Sequence, residues 1–91
     1  MHVTLRQLEY VIAVAEYGSF SKAAETCCAE QSTVSHQVKA MEDKLGISIF
    51  NRNTIPVKLS TEGELIVKQA KEIIAQVNEL IKPFKFPVKK E

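Results

Sequence analysis

The chain has 91 residues, enough for one small domain with a single core and too few for a second substrate-binding domain beside it. Twelve Lys and Arg against eleven Asp and Glu leave a formal charge of +1, which excludes a polybasic tail or an acidic solvating chain. With 45% hydrophobic and 25% charged residues, three Gly and three Pro, the composition is globular and rich in helix formers rather than disordered.

The first helix is announced by Thr4 and, three residues on, Gln7, a capping-box spacing that satisfies free amides at a helix start. Leu5, Leu8, Ile12 and Ala15, widened by Val11 and Val14, supply a buriable stripe, and Gly18 ends it. A short second helix is expected with Ser21 as its cap, running through Cys27. A third is expected over Ser32 to Leu45, closed by Gly46, with Val34, Val38, Met41 and Leu45 on one stripe. Its opposite side carries Ser32, His36, Lys39 and Asp43, flanked by Thr33 and Ser35. Such a polar, short-chained face suits close approach to a groove, with groups able to meet base edges or phosphates.

Alternation then replaces helical spacing from Ile47 to Leu59 around a turn-prone centre, predicting a small hairpin with Pro56 at an edge. Ser60 is placed to cap a last helix reaching about Lys82, with Pro83 as its stop and residues 83–91 as an extended tail. That helix is longer than so small a core needs. Its apolar residues Ile66, Ala70, Ile73, Val77, Leu80 and Phe84 alternate spacings of four and three, with Ile74 and Ile81 beside them, so it is expected to form a dimer seam.

No apolar run approaches the ~20 residues of a membrane span, and the first residues do not form a secretory signal. A cytoplasmic protein is expected. Cys27 and Cys28 are adjacent, which neither a zinc site nor a disulfide framework favours, so both are read as thiols, Cys27 as the buried one. No nucleophile and base, glycine-rich phosphate loop or paired carboxylates stand out, so no catalytic residue, metal or cofactor is assigned.

Helix, short helix, turn, third helix and hairpin is the order of a mainly α, winged helix-turn-helix fold. Here it has a three-helix core and β-hairpin wing over residues 1–60 and a linker or dimerisation helix over 61–82. The pieces Leu8-Glu9, Gly18-Ser19-Phe20-Ser21-Lys22-Ala23-Ala24-Glu25, Gln31-Ser32-Thr33-Val34-Ser35, Met41-Glu42-Asp43-Lys44-Leu45-Gly46, Ile49-Phe50-Asn51-Arg52 and Leu59-Ser60-Thr61-Glu62-Gly63 follow in order. From Leu5 to about Leu80 the chain thereby resembles the LysR-type transcriptional regulators. Glu25-Thr26-Cys27-Cys28-Ala29 is similar to the peroxide-sensing OxyR-like subgroup, whose redox cysteines lie in a separate sensing domain and are not carried over. The resemblance implies a DNA-binding domain that pairs through its last helix and meets an interrupted palindrome in duplex DNA as a homodimer. A tetramer is expected only where a sensing domain of about 200 further residues follows; the chain is either a fragment or a short regulator.

Three positions depart from the family pattern: Glu30 for a Ser or Thr, Ser32 for a Pro, and Ile55 for a second wing Arg. Base contact is expected from Gln31, Thr33, Ser35 and His36, with Ser32 on the same DNA-binding surface, and phosphate contact from Lys22 and Lys39. Contact of the wing with phosphates or the minor groove is expected from Arg52 and Lys58, with Asn53 and Thr54 as hydrogen-bond donors to the DNA. The competing reading is a helical interaction module that heterodimerises with full-length relatives and has little DNA affinity of its own.

Overall fold

A computed structural model describes residues 2–85. It contains α1 (Leu5–Tyr17), α2 (Phe20–Thr26), α3 (Gln31–Leu45), β1 (Phe50–Asn51), β2 (Lys58–Leu59) and α4 (Thr61–Lys85). The capping box forms as expected: Thr4 Oγ1 accepts from the Gln7 amide at 3.1 Å and Gln7 Oε1 accepts from the Thr4 amide at 3.0 Å. Gln7 is buried, and its Nε2 donates to Gln37 Oε1 at 3.1 Å, tying the start of α1 to α3. The apolar stripe of α1 closes on α2 and α3 through Val11, Val14, Ala23, Val34 and Val38, all fully enclosed.

Three boundaries differ from expectation. Ser19, not Ser21, caps α2, accepting from the Lys22 amide at 3.2 Å; an extended residue just after Gly18 has the backbone a cap requires. Helix α3 starts at Gln31, one residue early, behind Glu30, whose side chain makes no capping bond. Helix α4 runs through Pro83 to Lys85. A proline's fixed φ is helical, and within the last turn it forfeits a single backbone bond, so the helix persists where a stop was expected. The remainder of the expected tail, residues 86–91, lies outside the described residues.

The strands pair antiparallel, Phe50 with Leu59 and Asn51 with Lys58. Ile49 and Phe50 anchor this hairpin in the core, where Phe50 meets Phe20 edge-on at 5.9 Å between ring centroids. The far side of the wing is fastened to the α1–α2 turn, because the Val57 amide donates to the Gly18 carbonyl at 2.9 Å. Gly18 has φ +63°, and a Cβ there would lie 2.6 Å from Pro56 Cβ, so conformation and space both require glycine. Ser60 caps α4 as expected, accepting from the Gly63 amide at 2.9 Å. The helix then packs on α1 through Val67 and Ala70 and projects beyond the core, giving extents of 54 × 26 × 19 Å.

Candidate nucleic-acid interface

The outer face of α3 stands free of the core. Gln31, Ser32, Thr33, His36 and Lys39 are exposed and Ser35 is half-buried, so the structure brings the expected base-reading residues onto one accessible surface. Gln31 is oriented: Ser21 Oγ donates to its Oε1 at 3.3 Å, joining the beginnings of α2 and α3. That leaves the Gln31 amide nitrogen to donate outward. Lys22 lies exposed on the same α2 turn.

Beside this face a crevice of about 460 Å³ separates α3 from the wing, lined by Lys39, Glu42, Ser48, Asn51, Arg52 and Asn53. Glu42 organises it. Its carboxylate, almost wholly buried, accepts from the Ile49 amide at 2.8 Å, the Phe50 amide at 3.3 Å and Arg52 Nη2 at 3.1 Å. The Arg52 guanidinium also lies over the Phe20 ring, 4.8 Å from its centroid. Arg52, expected to reach phosphates or the minor groove from the wing, is thus held at the wing's root, with 36% of its side chain exposed. Lys39 is paired with Asp43 at 3.3 Å, but both groups are exposed and such pairs contribute little, roughly 0.3–0.5 kcal/mol, so the ammonium is available to a phosphate. Lys22 and Lys58 make no ion pair among the described residues.

The rest of the wing is self-braced. The Asn53 amide donates to Asn51 Oδ1 at 3.0 Å, and Thr54 Oγ1 donates to the Pro56 carbonyl at 2.9 Å. Thr54 is therefore committed to the wing's own shape rather than free to donate outward, as the sequence reading had it. Ile55, at the tip, is 98% exposed.

Sequence reasoning missed the bridging role of Glu42. The signal was available: Glu42 is eight residues after Val34, on the edge of the buried stripe of α3, where a carboxylate needs partners.

Along α4 the apolar residues divide between two faces. Val67 and Ala70 are buried in the protomer's own core, with Ile66 and Ile74 packed partly against it. Ala70, expected in the dimer seam, is 1% exposed and offers no surface, because α1 already covers that side. Ile73, Leu80, Ile81 and Phe84 remain exposed and Val77 half-buried. At about 100° per residue, Ile66, Ile73, Val77, Leu80 and Phe84 form one strip, offset from the core-facing one that continues toward Ile81.

The fold and this site define the chain as a winged helix-turn-helix module followed by a long helix. The family model described as bacterial regulatory helix-turn-helix protein, lysR family, matches residues 5–64, and the chain belongs to that family. Among curated relatives it is 37% identical over 75 residues to the hydrogen peroxide-inducible genes activator of Haemophilus influenzae, covering 82% of this chain and 25% of that protein. The chain thus spans about a quarter of the length of such relatives. Its fold matches that of the BenM DNA-binding domain crystallised with catB site 1 DNA, with TM-score 0.88 and 32% identity over 98% of this chain and all of that one. It also matches a full-length OxyR variant from Pseudomonas aeruginosa, with TM-score 0.88 and 36% identity over 97% of this chain and 30% of that one. No helix among the described residues is long and apolar enough to cross a membrane.

Proposed function

We propose that the chain regulates transcription from the cytoplasm by reading an interrupted palindrome in duplex DNA as a homodimer, acting by binding rather than catalysis. The observation that carries this reading is the exposed polar start of α3, with Gln31 pre-oriented by Ser21 and cationic side chains on both flanks. In this reading α3 enters the major groove. Gln31, Ser32, Thr33, Ser35 and His36 meet base edges, while Lys22, Lys39 and Lys58 meet phosphates. Arg52 contributes its remaining exposed edge, and Asn53 its side-chain amide.

The second protomer covers Ile66, Ile73, Val77, Leu80 and Phe84. The strip is self-complementary apolar surface on a helix that needs no more burial within its own chain, as a two-fold interface requires. Assembly beyond the dimer would rest on a sensing domain.

Selection from a random duplex pool tests the reading. The expected product has two half-sites spaced by about one helical turn, ~10 bp, or a multiple of it; an unselected pool contradicts it. One observation favours the interaction-module alternative: Arg52 is already engaged within the chain by Glu42. In that case no duplex is enriched, and Ile73→Asp abolishes association with a full-length relative while Gln31→Ala changes nothing.

A further inference from the structure

The DNA reading leaves Cys27 and Cys28 unused. Neighbouring side chains diverge by about 100° on a helix and point to opposite faces of a strand. Here α2 ends at Thr26 and is capped by Cys27, with φ −88° and ψ 4°, and Cys28 follows in the left-handed region with φ +55°. Both residues line one crevice of about 410 Å³ between α1, the end of α2 and α4. Ile12, Ala13 and Ile74 supply apolar lining, and Arg6 and Glu9 lie at the same crevice. Both sulfurs are free thiols, Cys27 half-buried and Cys28 exposed.

We propose that Cys27 and Cys28 form a dithiol site for a trivalent arsenical carrying an apolar substituent, with both sulfurs on the arsenic and the substituent in the crevice. Thiol sulfur is a soft ligand matched to such a centre. A substituted dihydroxyarsine reacts with the two thiols by exchange: two As–O bonds break, two As–S bonds form, and each thiol proton leaves with a hydroxide as water. Arsenic stays trivalent, so no oxidant or reductant is needed. The product is neutral. That suits this site, where burial, and then the Glu9 carboxylate, push the Cys27 thiol up and disfavour a buried thiolate. One arsenic between the sulfurs also widens the ring that a direct bridge between neighbouring cysteines would strain. Zinc is a poor match, since no group of three or more His, Cys, Asp or Glu able to hold a metal occurs among the described residues.

The test uses the full chain, phenylarsine oxide and intact-mass spectrometry, with free thiols titrated in parallel. The expected result is one adduct per chain and loss of both thiols, stable to excess glutathione and released by a vicinal dithiol. Cys27→Ser and Cys28→Ser should each lose the glutathione-resistant adduct; Cys28 is exposed, so its variant keeps the native circular dichroism and serves as the folded control. Inorganic arsenite, which lacks the substituent, should bind at least about tenfold more weakly. Removal of the wild-type adduct by glutathione as readily as from the single variants would overturn the dithiol site. Equal affinity for arsenite and phenylarsine oxide would overturn the role of the crevice. Neither readout depends on DNA binding.

Discussion

The Glu42 carboxylate holds the backbone amides of Ile49, just before β1, and of Phe50, within it, together with the Arg52 guanidinium. In Glu42→Gln one oxygen can still accept, but the amide group turns donor against donor at Arg52 or at the backbone. A loss of about 1–3 kcal/mol is expected in urea unfolding, and the Arg52 guanidinium is left without its counter-charge. Arg52→Ala should therefore weaken every duplex and also lower stability, whereas Gln31→Ala should mainly relax sequence choice and leave stability unchanged. Ile55 gives the converse case. It braces nothing and stands 98% exposed at the wing tip, so Ile55→Arg should tighten all duplexes and steepen the salt slope by about one, read by titration at several salt concentrations.

At the scale of elements, the junction between wing and α4 tolerates little. A Cβ on Gly63 would collide with the Ile49 carbonyl, the same carbonyl that accepts from the Ser60 amide at 2.9 Å. Gly63→Ala should destabilise the fold by about 1–3 kcal/mol, seen as a lower urea midpoint. The helices were legible in the sequence because each carried its own punctuation: Thr4 with Gln7, Gly18, Gly46 and Ser60. The α2 cap was misplaced because Ser19 and Ser21 both have capping chemistry and only the backbone after Gly18 chooses between them. That Glu42 needed partners was legible from its place beside the buried stripe of α3, but the partners were not, since Glu42 reaches seven and eight residues along the chain and Gly18 meets Val57 across the fold. The division of α4 was also hidden. Ala70 and Ile73 fit the same alternating spacing, and α1, packed on one side only, assigns the first to the core and leaves the second exposed.

At the scale of the molecule, α4 extends to about 37 Å at the standard helical rise, and much of its apolar strip is uncovered in one protomer. Ile73→Asp or Leu80→Asp should shift sedimentation from dimer to monomer without loss of helicity, because neither side chain is buried in its own core. The net charge of +1 conceals an uneven distribution: Lys22 and Lys58 are unpaired among the described residues, while Glu42 is neutralised by Arg52. Local cations and a two-fold assembly, rather than total charge, then set affinity. The most direct measurement is fluorescence anisotropy of a selected interrupted-palindrome duplex and its scrambled control, titrated with the purified chain at two salt concentrations. The account predicts tighter binding to the palindrome, weakening as salt rises, with dimer stoichiometry. Equal or absent binding of both duplexes at micromolar concentrations of a folded dimer would contradict it.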